Sequence, residues 1–386
     1  MTRISRRDFF AQAGGFIAAG AISAVCRPVP IFAQDSQHQP KPSEAEAEAI
    51  AKAARQFMDK CRVPGLSVSF ARHGEVVYEA GFGHADDGAG EGVTPAHLFR
   101  IASVSKPITS VAVFTLIEKG RLKLEDRVFG AGGVLGFDYG DSLPERVRKI
   151  TMRHLLTHTG GGWRNDGDDP MFRNKDMDHQ ELIAWTLRNQ PLKDEPGQNY
   201  AYSNFGYCIL GRVVEKASGR RYAEYVRQAV LEPCGIRDMQ LAGNTLVQRA
   251  HDEVVYYDRD RHENPYNMNV TRMDSHGGWI ATPGDLVRFA LRVGGSDTVP
   301  NLLRPETIKT MLTASAANAG YACGWFVNRV PNFWHTGNLP GTTSIMVRTA
   351  SGLCWAAFAN ARADGSELAL DQMMWQMARA VPAWRA

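Results

Sequence analysis

FRIASVSKPITSVAVFTLIEKG, residues 99–120, contains the pattern on which the rest of the sequence depends. Apolar residues recur through it at helical spacing and Gly120 stands at its end, which predicts a helix over 103–119. Ser103 and Lys106 lie three positions apart at its start, so their side chains share one face and can meet. A serine hydroxyl needs a neighbouring base to act as a nucleophile, and burial can make a lysine amine that base. Taken alone, the pattern also fits a serine that merely caps a helix.

Strand-like runs lie near both ends of the chain. The runs 66–71 and 75–80 read as a hairpin, and 323–327, 343–348 and 353–360 are strand-like near the C-terminus. Helices are predicted over 45–60 and 367–381, and the region between the strands is mostly helix and loop. We therefore predict an α+β fold, in which an antiparallel sheet built from N- and C-terminal strands is flanked by helices. The α/β part would cover about 45–120 and 275–386, with an inserted helical part over about 121–274 and the site at their seam.

Two further short motifs carry groups suited to chemistry. Tyr202-Ser203-Asn204 follows a turn signal; a phenol beside a lysine can give or take a proton, and an amide can bond both a substrate and an ammonium. His335-Thr336-Gly337 has a strand-like context and precedes Asn338. A glycine at this point would let a substrate approach the strand edge, whose backbone N–H could join an oxyanion hole.

In this order and at long spacing, Ser103-x-x-Lys106, Tyr202-x-Asn204 and His335-x-Gly337 resemble motifs of one group of serine hydrolases. That group includes class C β-lactamases, DD-peptidases, D-aminopeptidases and lactamase-like esterases, and the likeness runs from about residue 45 to 385. The resemblance implies that Ser103 is the acylated nucleophile and that Lys106 and Tyr202 move protons. It further implies an oxyanion hole made by the backbone N–H groups of Ser103 and Asn338, and a set of substrate-binding residues: Asn204, His335, Thr336 and Gly337.

One departure from the family pattern bears on the substrate. Efficient class C lactamases usually carry lysine at the position of His335, so histidine looks more like peptidases and esterases. If the His335 imidazole faces the cleft, its titration near pH ~6.5 should appear in substrate binding between roughly pH 5.5 and 7.5.

Three functions follow from the resemblance. The first is an exported hydrolase of amide or ester bonds, with D-amino-acid peptide-like substrates slightly favoured. The second is a carboxylic esterase or weak β-lactamase. The third, from a different class, is a penicillin-binding or scaffold protein without catalysis. The expected partner is a small-molecule or peptide-like substrate, and no cofactor or metal is implied.

The charge distribution bears on partners and on the N-terminus. The formal net charge of +3 comes from residues 1–33, so the remaining chain has 40 basic and 40 acidic residues, which argues against a nucleic-acid partner. Arg6-Arg7 precedes a short apolar run of about 15 residues, which indicates a twin-arginine export signal over 1–33 and a periplasmic location. A polar linker over 34–44 follows. A membrane anchor is the alternative, but the run is shorter than the ~20 residues that a spanning helix needs.

Cysteines and possible metal ligands complete the sequence evidence. Five cysteines follow the predicted signal, without CxxC spacing, and we expect them to be buried free thiols. His154 and His158 are four apart, as metal ligands can be, but packing and hydrogen bonding are the favoured role. The acidic run 166–169 lacks the later glutamate of a calcium loop, so a solvated loop is expected there.

Overall fold

A computed structural model describes residues 41–259, 263–294 and 299–384. The predicted export signal and residues 34–40 of the predicted linker lie outside the described residues.

The described part of the chain contains helices and strands from one end to the other. Its helices are α1 Glu44–Cys61, α2 Ser105–Glu118, α3 Glu145–Arg148, α4 Met152–Leu156, α5 Pro170–Arg173, α6 His179–Asn189, α7 Asn204–Ser218, α8 Tyr222–Val226, α9 Asp274–Gly277, α10 Pro283–Val293, α11 Pro305–Met311 and α12 Ser366–Ala380. Its strands are β1 Gly65–Arg72, β2 Glu75–Asp86, β3 Glu91–Gly92, β4 Phe99–Arg100, β5 Gln240–Leu241, β6 Tyr257–Asp258, β7 Trp279–Ala281, β8 Phe326–Val327, β9 Phe333–Leu339, β10 Thr342–Arg348, β11 Cys354–Ala359 and β12 Ala361–Arg362.

Seven of these strands form the main sheet, in the order β3-β2-β1-β11-β10-β9-β8. Every neighbouring pair is antiparallel, and β1 from the N-terminal part lies directly beside β11 from the C-terminal part. The predicted α+β fold, with a sheet assembled from both ends of the chain, is confirmed. Of the predicted strand 323–327, only Phe326–Val327 pairs in the sheet.

Side chains alternate between the two faces of the sheet along its central strands, and each face is covered by its own apolar cluster. Leu66, Val68 and Phe70 of β1 pack with residues of α1 and α12. Ala356 and Phe358 of β11 belong to the larger apolar cluster on the other face, which includes α2 and α10. This is the pattern expected of a sheet covered by helices on both faces, because successive side chains point to opposite sides. The sequence analysis did not predict α10.

The helix that carries Lys106 lies deep in the larger cluster. Twelve of the fourteen residues of α2 are buried, so the helix is enclosed on all sides and lacks a polar outer face. The predicted helix start at Ser103 needs one refinement: Ala102–Val104 form a 3₁₀ turn, and α2 begins at Ser105.

The cysteines and the helix lengths supply two further observations. Within the described residues, five cysteines are buried and unpaired: Cys61, Cys208, Cys234, Cys323 and Cys354. No helix in that part of the chain combines the length and apolar character needed to cross a bilayer.

Candidate active site

Ser103 lies in the 3₁₀ turn that leads into α2, and its hydroxyl contacts the amine expected from the sequence. Lys106 Nζ is 3.0 Å from Ser103 Oγ. Ala102, just before the serine, has φ 47°, a left-handed conformation that non-glycine residues seldom adopt. Strain of this kind persists only where the surrounding structure holds it, and here Ala102 is fully buried.

The Lys106 amine is enclosed by three hydrogen-bond partners. Besides Ser103, Nζ contacts the amide oxygen of Asn204 at 2.7 Å and the main-chain carbonyl of His276 at 2.9 Å. The latter two groups only accept hydrogen bonds. A neutral amine has two N–H groups for these acceptors, which leaves its lone pair for the Ser103 hydroxyl. Burial lowers the pKa of Lys106 to about 7, although the charge of Asp169 opposes this shift, so the neutral form is populated at neutral pH.

Tyr202 borders the same centre from the loop before α7. Its ring centroid is 4.8 Å from Lys106 Nζ, and the Ser103 side chain is close enough to act on the pKa of the Tyr202 phenol. Burial raises the pKa of Tyr202 well above its ordinary value, so the phenol keeps its proton at neutral pH. The structure thus brings Ser103, Lys106 and Tyr202 together at one centre.

Asp169 is a member of this centre that the sequence analysis missed. It is 1% exposed, and its carboxylate accepts hydrogen bonds from Asn204 Nδ2 at 2.8 Å and from the main-chain N–H of Met171 at 2.9 Å. The bond from Nδ2 orients the Asn204 amide so that its oxygen faces Lys106. Burial raises the pKa of Asp169 to about 6.

The prediction of a solvated loop over 166–169 is therefore wrong for Asp169, although Asp166 and Asp168 are exposed. The only local signal is that Asp169 caps α5 directly before Pro170, and such a cap usually stays at the surface.

A chain of hydrogen bonds runs beneath the site from the loop before α7 to β9. The main-chain N–H of Ser203 donates to His158 Nδ1 at 3.1 Å, and His158 Nε2 contacts the hydroxyl of Tyr321 at 3.1 Å. That hydroxyl contacts His335 Nε2 at 3.2 Å, while His335 Nδ1 donates to the carbonyl of Thr336 at 2.6 Å. Because one end is a fixed donor, the Ser203 N–H, and the other a fixed acceptor, the Thr336 carbonyl, all bonds can point in one direction with both imidazoles neutral. His158 thus has the packing and hydrogen-bonding environment predicted for it.

The same hydrogen bonds correct the expectation that the His335 imidazole titrates near neutral pH. Its ring is 1% exposed, both ring nitrogens have protein partners, and burial together with the Lys106 charge lowers its pKa to about 3. A neutral His335 throughout the range from about pH 5.5 to 7.5 cannot produce the titration in substrate binding that the sequence suggested.

The other residues of the His-Thr-Gly motif have two different environments: some line the cavity, and one packs against the serine-bearing turn. Thr336 and Asn338 line the cavity, and Asn338 Oδ1 has no hydrogen-bond partner among the described residues. Gly337 is different, because a Cβ there would lie 2.2 Å from the carbonyl oxygen of Ile101 and 3.1 Å from the Ala102 Cβ. The glycine thus admits the serine-bearing turn against β9, and Gly337 is not among the residues that line the cavity.

These groups meet at a cavity of about 1130 Å³. Ser103, Tyr202, Asn204 and His335 line it, and Lys106 lies behind Ser103. Its wall also contains apolar side chains suited to a substrate's hydrocarbon part: Phe172, Met268, Phe326 and Leu339. No group of three or more metal-ligating side chains was found in the part of the chain that the structure describes.

Comparison with known proteins places this geometry in a family. The sequence profile of the beta-lactamase family matches residues 50–375. The chain belongs to the beta-lactamase family. Among curated members, a penicillin-binding protein of Bacillus subtilis (strain 168) is 26% identical over 309 residues, covering 73% of this chain and 64% of the relative. Esterase EstB of Burkholderia gladioli is 33% identical over 222 residues, covering 51% of this chain and 53% of the esterase. The chain thus spans between about half and two thirds of these relatives' lengths.

Solved structures of beta-lactamase-like proteins share the fold. The D-amino acid amidase from Ochrobactrum anthropi SV3, complexed with L-phenylalanine amide, superposes with a TM-score of 0.72 at 22% identity, covering 88% of this chain and 99% of the amidase. The octameric penicillin-binding protein homologue from Pyrococcus abyssi gives a TM-score of 0.68 at 23% identity, covering 87% of this chain and 79% of that protein. Identities this low establish the common fold alone.

Proposed function

We propose that this chain is a serine hydrolase that cleaves an amide or ester bond through an acyl-enzyme on Ser103. The observation that carries the proposal is the buried Lys106 amine, 3.0 Å from the Ser103 hydroxyl and with a pKa of about 7. Such an amine can accept the proton that the serine must lose at neutral pH.

The groups around Ser103 have complementary roles in this proposal. Lys106 takes the Ser103 proton as Oγ attacks the substrate carbonyl, and the main-chain N–H groups of Ser103 and Asn338 stabilise the resulting oxyanion. Tyr202 passes a proton to the leaving group as its bond to the carbonyl breaks, and Lys106 restores that proton. Water then repeats the attack on the acyl-enzyme, which releases the acid and returns the proton to Ser103.

We also propose which class of amide or ester substrate the enzyme takes. D-amino-acid peptide-like substrates are slightly favoured, and the fold shared with a D-amino acid amidase is compatible with them. A carboxylic esterase is the second candidate, supported by the 33% identity to Esterase EstB over half of the chain. A neutral His335 in place of a lysine supports neither strong penicillin binding nor efficient β-lactamase activity.

The decisive experiment separates a hydrolase from a non-catalytic penicillin-binding or scaffold protein. We expect wild-type protein to release a burst of p-nitrophenol from an activated ester and to be labelled covalently by a fluorophosphonate. Ser103→Ala should abolish labelling and lower kcat by roughly 10⁴-fold or more. Ser105→Ala is the matched control, because Ser105 is buried two positions away and does not line the cavity. Labelling that survives in Ser103→Ala would refute the assignment.

We also propose that the protein is exported to the periplasm by the twin-arginine route, on the basis of Arg6-Arg7 and the apolar run that follows. Replacing both arginines by lysine should retain the precursor in the cytoplasm. Normal periplasmic delivery of this double variant would exclude the route.

A further inference from the structure

The cationic side chains that line the cavity are already neutralised by protein partners. Arg173 Nη1 is 3.0 Å from a carboxylate oxygen of Asp168. Arg362 Nη2 is 3.0 Å from a carboxylate oxygen of Asp258 and 2.5 Å from one of Glu263. A substrate carboxylate entering the cavity would have to compete with these carboxylates for either guanidinium.

An acidic side chain on the same wall has no cationic partner. Glu367 lies in the first turn of α12, is half-buried and lines the cavity. Within residues 41–259, 263–294 and 299–384, its carboxylate makes neither an ion pair nor a hydrogen bond. The field of Glu367 reaches the reacting groups, since its charge contributes to the raised pKa of the Tyr202 phenol. Asp166, also on the cavity wall and without an ion pair in the described regions, adds charge of the same sign.

Aromatic rings near the site favour the same kind of ligand. The rings of Tyr202 and Phe326 both line the cavity, and their centroids lie 6.3 and 5.1 Å from that of His335. The face of an aromatic ring attracts a cation and offers nothing to an anion. The cavity therefore combines acidic side chains that lack an ion-pair partner with aromatic side chains around a neutral imidazole.

We propose, on the basis of the serine hydrolase function above, that Glu367 makes this site selective for substrates whose acyl part carries an ammonium group. A carboxylate on the acyl part is disfavoured by the same charge. The proposal thus assigns to Glu367 the role of a specificity-determining residue, separate from the Ser103, Lys106 and Tyr202 group.

Three p-nitrophenyl esters of similar size test the proposal. They are the esters of 4-(trimethylammonio)butanoic acid, of its neutral isostere 5,5-dimethylhexanoic acid, and the monoester of glutaric acid. The readout is the ratio of kcat/KM for the cationic ester to that for the neutral ester, compared between variants so that intrinsic ester reactivity cancels. In Glu367→Gln we expect this ratio to fall by about fivefold, the effect of one partly exposed charge. In Glu367→Lys, kcat/KM for the glutarate ester should rise relative to kcat/KM for the neutral ester.

Glu306→Gln is the matched control, because Glu306 also lies in the first turn of a helix, α11, but is exposed and away from the cavity. It should leave the ratio unchanged. An unchanged ratio in Glu367→Gln, with normal turnover of the neutral ester, overturns the selectivity proposal and leaves the hydrolase intact. If wild-type protein turns over none of the esters and Ser103 is not labelled, the hydrolase proposal itself fails and the selectivity proposal falls with it.

A second measurement needs no variant, so it holds even if Glu367→Gln does not fold. In wild-type protein, the cationic-to-neutral ratio should decrease between about 20 mM and about 500 mM NaCl, because salt screens the attraction of a partly exposed carboxylate. A ratio that does not respond to salt contradicts the proposal.

Discussion

At neutral pH the amine of Lys106 divides between its charged and neutral forms, because burial lowers its pKa to about 7. Asp169 acts in the opposite direction, since its negative charge favours the ammonium. The same carboxylate holds the Asn204 amide that contacts Lys106. Asp169 is therefore a positioning residue. It orients the Asn204 amide that contacts Lys106, and its negative charge raises the pKa of the Lys106 amine.

The first prediction concerns the pH dependence of this base. Since only the neutral amine can accept the Ser103 proton, kcat/KM for a neutral ester should rise with pH through about 7 and then level off. Asp169→Asn removes the charge that raises the Lys106 pKa, so the rise should move to lower pH while its plateau falls. Asp176→Asn, an exposed neighbour, is the control and should leave the profile in place. A rise that stays at the same pH in Asp169→Asn would exclude this coupling.

The second prediction concerns His335. Because its imidazole is buried, bonded at both nitrogens and shifted to a pKa of about 3, its ring C–H signal in NMR should not move between about pH 5.5 and 7.5. His335→Gln identifies the signal by its disappearance. A titration within this range would show that burial and the two hydrogen bonds do not hold the imidazole neutral.

At the scale of elements, the close approach of β9 to the serine-bearing turn determines where Ser103 lies. The third prediction is that Gly337→Ala forces these elements apart, because its Cβ would lie 2.2 Å from the Ile101 carbonyl oxygen. We expect a loss of about 1–3 kcal/mol in the free energy of unfolding and a marked fall in kcat. Gly92→Ala on β3 is the control, since the nearest atom would be 3.9 Å away. Wild-type stability and turnover in Gly337→Ala would contradict the packing role.

The contrast between local and distant contacts explains how much of the site could be predicted from the sequence. The contact between Ser103 and Lys106 follows from helical spacing, and β1, β2, β10 and β11 follow from their alternation or apolar runs. Asp169 reaches Asn204 across 35 positions, and His158 reaches Tyr321 across 163. No local pattern encodes such contacts, because burial of these polar groups depends on how distant elements pack. The polar environment of His335 has the same origin, so the sequence left open whether its ring faces the cleft and titrates.

At the scale of the whole molecule, the cysteines are dispersed over separate parts of the core. Cys61 packs with α1 and α12 on one face of the sheet, while Cys208, Cys234, Cys323 and Cys354 belong to the cluster on the other face. Burial raises the pKa of each of these thiols, which disfavours the reactive thiolate.

The fourth prediction is that these thiols are mostly free. Under native conditions the protein should react slowly with a thiol reagent, whereas the denatured, unreduced protein should titrate most of its five cysteines. The native reaction serves as the control for accessibility. Finding one or no free thiol after denaturation would mean that disulfides form after all.

The pairing of β1 with β11 has a consequence for how the chain acquires its structure. The main-chain N–H of Gly65 donates to Asn360 Oδ1 at 2.7 Å across 295 positions. β1 therefore cannot pair with β11 until the ribosome has added the C-terminal strands. Until then, β1 can pair only with β2, as a hairpin. Contacts of such high sequence separation slow folding, because a long loop must be ordered before they can form. The candidate active site, which needs β9 against the Ser103 turn, is assembled only after synthesis has passed β9.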